Sequence, residues 1–205
     1  MLEEPVFSGD SAALVSVFHD SQNVNFTIHE SWYPGSMLKG QDLLIAFHLA
    51  GTPKKTLAEM GLALGMSVGE VHKAVGRLQM SQLLLHGSRT VHLPHLIEFA
   101  VHGARFAFPP VYGGKARGIP TAQSVAPLNE HLVAPAPEEA LVWKHPEGTL
   151  RAQTLDPIYP SALQAALADP ELYRKLAILD GIRVGSARVR EISKDLMVKE
   201  LNRAS

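Results

Sequence analysis

The chain has 205 residues, of which 46% are hydrophobic and 19% charged, and its formal net charge is -1. This composition is ordinary for a folded protein and excludes disorder of the whole chain. The sequence contains no cysteine, which excludes disulfides, thiolate zinc sites and a cysteine nucleophile. Its apolar runs are too short to span a bilayer, and the acidic N-terminal MLEEPVF is unlike a signal peptide, so we expect a cytoplasmic protein.

The charges are unevenly distributed along the chain. Residues 1–35 contain five acidic residues and no Lys or Arg, whereas residues 36–118 contain nine basic and four acidic residues. Residues 119–205 are nearly balanced, with ten basic and eleven acidic residues. Because a local excess of cations attracts polyanions, the central segment is where we expect a nucleic acid to bind.

Residues 1–35 are predicted to form an N-terminal extension. Residues 23–28 (NVNFTI) have the composition of one short strand. The WYPGS sequence at 32–36 contains Pro and Gly, which predicts a turn before the first helix.

Residues 36–105 are predicted to form a compact module that begins with helices. Apolar residues over 37–50 indicate a first helix, which the Gly-Thr-Pro sequence at 51–53 ends. A second helix is predicted over about 56–64, with Thr56 or Lys55 near its N-terminus.

The third predicted helix begins at Ser67 and extends to about residue 80. The Ser67 hydroxyl is suited to accept a hydrogen bond from a free backbone N–H in the first turn. Val71, Val75 and Leu78 follow at spacings of four and three, which places one apolar stripe on the helix.

A β-hairpin is predicted after the third helix. Its two short strands cover residues 83–86 and 90–93, and the Gly-Ser-Arg sequence at 87–89 forms a tight turn. A further helix is predicted to start at Pro94 and to extend to about residue 101.

The rest of the chain is predicted to contain a connection and a helical tail. Residues 106–160 hold most of the prolines and many glycines and are predicted to be irregular. Residues 161–205 return to helix, with a break at 169–170 and one apolar stripe down the last helix. That stripe leaves two interpretations open: packing against the first module, or dimerisation.

Three helices followed by a two-stranded ribbon is the order of a winged helix-turn-helix. The sequence from Leu57-Ala58-Glu59 through Leu64-Gly65-Met66-Ser67 to residues 70–78 (EVHKAVGRL) resembles the core of MarR-like bacterial regulators. The resemblance covers less than a third of the chain. It implies a mainly α fold with a small β-hairpin wing and a helical C-terminal extension, and a homodimer on double-stranded DNA.

The resemblance makes the third helix the one that enters the major groove. Its side opposite the apolar stripe would then face DNA, and two cations four residues apart on that side suit phosphates or a guanine edge. A cation at the hairpin tip suits the adjacent minor groove, and two lysines before the second helix suit phosphate. The residues predicted to bind DNA are Lys54, Lys55, Ser67, Gly69, His72, Lys73, Arg77 and Arg89.

Three other patterns favour ordinary structural roles. His95, Glu98 and His102 fall on one helical face, but exposed His and Glu on a helix are far commoner than a metal site, so no metal is predicted. Residues 112–118 (YGGKARG) lack the Lys-Ser/Thr pair of a phosphate-binding loop and are interpreted as a flexible basic loop. Catalytic motifs such as HExxH and GxSxG are absent from the sequence, so neither an enzyme nor a cofactor is predicted.

The sequence therefore predicts a transcriptional regulator, in the first instance a repressor, that binds specific DNA sequences. The alternative is a protein-interaction module, in particular an antitoxin whose N-terminal winged helix represses its own promoter while the larger C-terminal region neutralises a toxin. That alternative rests on a loose resemblance of arrangement to abortive-infection antitoxins.

Overall fold

The computed structural model describes residues 37–52, 55–132 and 139–203. The predicted strand at 23–28 and the predicted DNA contact Lys54 lie outside these residues. Within them the protein is mainly helical with one small three-stranded sheet. No helix in these ranges combines the length and hydrophobicity needed to cross a membrane.

The first three helices follow the predicted order. They are α1 (Gly40–Gly51), α2 (Leu57–Leu64) and α3 (Val68–Met80). Thr56 and Ser67 each begin a helix with a capping box, in which the hydroxyl accepts from a backbone N–H while a glutamate three residues later accepts from the cap. The predicted caps of α2 and α3 are therefore confirmed.

The turn between α2 and α3 depends on the backbone of Gly65. Gly65 has φ +64°, the left-handed conformation in which a side chain is strained. This turn brings α3 across α2 and buries Val71, Val75 and Leu78, the apolar stripe predicted from their spacing.

The predicted hairpin is present as a single β-bridge between Leu84 and Val91 rather than as two regular strands. Two backbone hydrogen bonds flank the bridge, from Leu85 to Thr90 at 2.9 Å and from His92 to Leu83 at 2.9 Å. Gly87 at the turn has φ +67°, as the predicted turn requires. The hairpin is short because the next helix already begins at residue 93.

That helix is longer than predicted and contains one wide turn. It comprises α4 (Leu93–Glu98), a π-helical turn (Phe99–Gly103) and α5 (Ala104–Ala107). A π-helical turn inserts an extra residue per turn, which displaces the side chains that follow from the face that a regular helix would give them.

The segment 106–160, predicted to be irregular, instead contains the sheet. Strands β1 (Tyr112–Thr121), β2 (Leu141–Lys144) and β3 (Leu150–Leu155) each pair with both of the others. β1 is antiparallel to β2 and β3, and β2 and β3 are parallel. The predicted flexible loop at 112–118 is thus part of β1.

Closure of this small sheet requires two glycines in contact. A Cβ on Gly118 would lie 2.2 Å from the Trp143 carbonyl oxygen, and a Cβ on Gly148 would lie 2.4 Å from the Gly118 Cα. Because both distances are far inside van der Waals contact, only glycine fits at these positions.

The helical tail forms three helices: α6 (Ala162–Ala168), α7 (Pro170–Val184) and α8 (Ala187–Arg203). The predicted single stripe is divided, because the chain breaks at 185–186 between α7 and α8. The described residues lie in one compact unit, and its main core contains side chains from α1 through α8. The predicted boundaries at 105 and 160 therefore fall inside one shared core.

A buried carboxylate joins α7 to the sheet. Asp180 accepts hydrogen bonds from Thr121 Oγ1 at 2.7 Å, Trp143 Nε1 at 2.8 Å and Arg183 Nη1 at 2.7 Å. Burial raises the pKa of Asp180, and the Arg183 charge and these hydrogen bonds oppose that effect. Arg183 also donates to the Phe108 carbonyl oxygen, so one polar cluster fixes α7, β1, β2 and the end of α5.

A second buried polar group lies where α7 crosses the end of α1. Lys175 Nζ is 3.4 Å from the carbonyl oxygen of Phe47 in α1 and is fully buried. Nearby, His48 is buried with neither ring nitrogen hydrogen-bonded, and its Nδ1 is 3.9 Å from an Asp169 carboxylate oxygen. Burial lowers the pKa of His48, an effect that Asp169 opposes and that Lys55 and Lys175 reinforce.

We predict that replacing Gln82 by glycine stabilises the protein. Gln82 precedes the hairpin with φ +59°, and its backbone carbonyl oxygen is 3.0 Å from His95 Nδ1. The left-handed conformation costs a non-glycine residue about 1–2 kcal/mol. Glycine avoids this cost, but its larger loss of backbone entropy on folding reduces the gain by about 0.5–1 kcal/mol. Urea denaturation should show a gain of about 0.5–1 kcal/mol for Gln82→Gly. The same substitution at Gln153, in extended β3, should destabilise, and a loss at both positions would contradict the prediction.

We predict that His48 makes the free energy of unfolding depend on pH. The unfolded chain binds a proton near the ordinary pKa of 6.5, whereas the lowered pKa keeps folded His48 neutral at that pH. The stability present above pH 6.5 is therefore lost as the pH falls towards the folded-state pKa, by up to about 1.4 kcal/mol per pH unit. In urea denaturation between pH 7 and 5, the free energy of unfolding should fall less steeply for His48→Phe than for the wild-type protein. His86→Phe, at an exposed histidine, is the control and should leave the pH dependence as in the wild type. If His48→Phe also left the pH dependence of the unfolding free energy unchanged, His48 would not be its source.

Candidate nucleic-acid interface

The outer side of α3 is accessible to solvent. Gly69, Glu70, His72 and Lys73 are exposed, and Ser67 is exposed at the cap. The structure thus places four of the predicted DNA-binding residues, Ser67, Gly69, His72 and Lys73, on one open surface. Lys73 is the lysine of that surface, and within the described residues its ammonium group forms no ion pair.

Arg77 does not belong to this surface, and its prediction as a DNA contact is wrong. Its side chain is 9% exposed and forms a bidentate ion pair with Asp42 of α1, which is fully buried. Arg77 Nε is 2.7 Å from Asp42 Oδ2, and Nη2 is 2.5 Å from Oδ1. The hydrogen bonds to the Asp42 carboxylate raise the pKa of Arg77, so the guanidinium stays charged. Arg77 therefore joins α3 to α1.

The hairpin is held against the same helix. Gln79 Nε2 of α3 donates to the Ser88 carbonyl oxygen at 2.7 Å, which fixes the hairpin turn beside the last turns of α3. Arg89 at the tip is exposed, as predicted. Between the helix and the hairpin lies a groove of about 790 Å³. Its lining residues are Leu57, His72, Val75, Gly76, Gln79, Gly87, Ser88, Arg89 and Thr90.

The carboxylates of this region are occupied by helix caps. Glu70 accepts from the Ser67 backbone N–H at 2.8 Å, and Glu59 accepts from the Thr56 backbone N–H at 2.7 Å. Those backbone hydrogen bonds are the main cause that lowers the pKa of each glutamate. Both side chains stay ionised at neutral pH, so they partly offset the positive charge of Lys73 and of half-buried Lys55.

Two contributors to this surface were missed by the sequence reasoning. Gln79 was not predicted, because its role depends on where the hairpin packs against α3. Tyr159 follows Glu70 by 89 residues in the sequence, and the Glu70 carboxylate adds to burial in raising the pKa of Tyr159. No local signal in the sequence identifies Tyr159, because its contact is made by tertiary packing.

The histidines after the hairpin have structural contacts. The rings of His92 and His95 are stacked with centroids 3.7 Å apart, and His95 Nδ1 is 3.0 Å from the Gln82 carbonyl oxygen. In the ranges 37–52, 55–132 and 139–203, no group of three or more His, Asp or Glu side chains is placed to bind a metal ion.

Comparison of the chain with protein-family models, with curated proteins and with solved structures gives no significant match. The assignment of a function therefore depends on the geometry of this surface and on its charge.

We predict that Arg77→Ala destabilises the protein strongly. Removing the guanidinium leaves the buried Asp42 charge without its counter-ion, with the Lys39 backbone N–H as its remaining donor among the described residues, and breaking a buried pair typically costs about 3–5 kcal/mol. Urea denaturation measures this loss. The double variant Asp42→Leu/Arg77→Met removes both charges and should recover most of it. If Arg77→Ala kept its stability, the ion pair would not be the element that fixes α3 on α1.

Proposed function

We propose that the protein binds double-stranded DNA through a winged helix-turn-helix and acts as a sequence-specific transcriptional regulator. In this proposal α2 and α3 form the helix-turn-helix, α3 enters the major groove, and the hairpin at 83–92 is the wing. The observation that carries the proposal is the exposed outer side of α3, which presents Lys73, beside a hairpin that Gln79 fixes to it and that presents Arg89.

The dimensions of α3 support the proposal. Its 13 residues span about 20 Å at 1.5 Å per residue. The major groove admits an α-helix whose side chains then reach base edges. The Asp42–Arg77 ion pair holds the inner side of α3, so the outer side can meet DNA without a rearrangement of the core.

Each exposed residue has a distinct proposed role. His72 and Lys73 reach base edges or phosphates, and Ser67 donates its hydroxyl hydrogen to the DNA backbone while its oxygen caps α3. Gly69 allows a close approach of the helix backbone, since nothing in the protein lies within 4 Å of an added Cβ. Arg89 contacts the backbone or the minor groove from the wing, and Lys55 contributes a phosphate contact.

Dimerisation is a separate proposal, and the apolar stripe of the tail does not support it. Ile178 and Ile182 are fully buried inside the protomer, and Leu196 is also buried. Val189 and Ile192, the other two residues of the stripe, are half-buried, so most of the stripe packs within the protomer. Size-exclusion chromatography with light scattering at micromolar concentration distinguishes a dimer from a monomer.

We expect Lys73→Ala and Arg89→Ala to weaken binding to the DNA upstream of the protein's own gene. Each lost phosphate contact should lower the slope of log affinity against log salt by about one. Gel-shift titration at two salt concentrations, with random DNA in parallel, measures affinity, specificity and charge together. Lys199→Ala, an exposed lysine on α8, is the matched control.

If the wild-type protein and the three variants bound with equal affinity and equal salt slope, α3 and the wing would not form the interface. Binding to the upstream DNA no tighter than to random DNA would exclude a sequence-specific regulator. That result would favour a protein partner for the same surface.

A further inference from the structure

The β1–β3 pair carries a cationic face that the proposed function does not use. Lys115 and Arg117 are two residues apart on β1, so their side chains lie on the same side of the sheet. Arg151 lies directly opposite Arg117 in the register. All three side chains are exposed. We call Lys115, Arg117 and Arg151 the sheet cations.

The opposition of Arg117 and Arg151 is unfavourable for the isolated protein. Like charges directly opposite each other on neighbouring antiparallel strands repel. Within the described part of the chain, none of the sheet cations forms an ion pair with a carboxylate. The repulsion between the two guanidinium groups is therefore not relieved by neighbouring acids.

The reverse side of the same strand pair explains why these positions face outward. Ala116 and Ala152 are paired, and Ala152 packs with Val142 in a small core between the strands. Because side chains alternate along a strand, burial of Ala152 fixes Arg151 on the outer side. The sheet cations are thus held in place by the fold and by rigid backbone.

We propose that the outer face of the β1–β3 pair is a second surface for the phosphate backbone of nucleic acid. Two guanidinium groups on neighbouring strands and an ammonium group beside them match the charge of successive phosphates, and guanidinium binds phosphate in a bidentate manner. Phosphate binding would relieve the repulsion between Arg117 and Arg151. This surface does not require the proposed role of α3.

The test uses the full chain and a 20-base-pair duplex of random sequence, with anisotropy measured from 50 to 200 mM salt. Lys115→Gln/Arg117→Gln/Arg151→Gln removes the three sheet cations. Lys39→Gln/Lys199→Gln/Arg203→Gln removes three exposed cations that lie outside the sheet and gives the same net charge. The first variant should bind at least about tenfold more weakly at low salt and lose about three from the salt slope. The control variant should keep most of the affinity at low salt and most of the salt slope.

Equal losses in the two triple variants would overturn the proposal, because they would show dependence on net charge alone. Polyglutamate that displaced the wild-type protein as effectively as DNA would also overturn it, in favour of an acidic protein partner. Lys73→Ala/Arg89→Ala, measured with the same duplex, separates this surface from α3. A loss confined to that variant would sustain the proposed function and reject the sheet surface.

A stability measurement tests the same geometry without DNA. If Arg117 and Arg151 repel, Arg151→Gln should raise the melting temperature at low salt, and 1 M salt should remove the difference because it screens the charges. Arg188→Gln should change the melting temperature little. A lower melting temperature for Arg151→Gln in both conditions would show that Arg151 stabilises the sheet and would reject the repulsion on which the proposal depends.

Discussion

The ion pair between Asp42 and Arg77 is the constraint on which the proposed interface depends. It joins the first turn of α1 to the last turn of α3 by two short hydrogen bonds inside the core. A buried pair of this kind adds little net stability over an apolar contact, yet it penalises every arrangement that separates its partners. Its main effect is therefore on geometry, since α3 has one position on α1 and one side left for solvent.

The same principle recurs in α7. This helix crosses the core and buries a carboxylate, a guanidinium and an ammonium group, in Asp180, Arg183 and Lys175. Asp180 is satisfied by donors from the sheet, whereas Lys175 reaches a carbonyl oxygen near the end of α1, where the helix dipole favours a cation. These anchors connect α7 both to the sheet and to α1, in agreement with the core that the helices share. Charged residues on α7 thus have a role in the interior that hydrophobic periodicity alone cannot reveal.

Local features of the fold were predictable from the sequence, and long-range ones were not. The caps at Thr56 and Ser67 and the turn at Gly65 depend on neighbours within a few residues, so the sequence indicates them directly. Arg77 was misassigned because its burial depends on a carboxylate 35 residues earlier in the chain. Strand β1, with the sequence YGGKARGIPT, lacks an apolar alternation and forms because β3 pairs with it. For the candidate site, the exposure of the outer side of α3 and of the hairpin tip was predicted. Gln79 and Tyr159 were not, because tertiary packing brings them to this surface.

The distribution of the cations connects the two proposed surfaces. Of the nine basic residues in 36–118, Arg77 is neutralised by Asp42, and Lys73, Arg89, Lys115 and Arg117 remain exposed. A fold that only needed solubility would gain by mixing these charges with acids, as α8 does in its pair between Glu191 and Lys194. On α2 and α3 the acids Glu59 and Glu70 instead serve as helix caps, and Arg151 lies opposite Arg117 in the sheet. Since like charges at paired positions cost stability, their presence at this register supports the proposed anionic partner, which residues 37–52, 55–132 and 139–203 do not supply by an ion pair.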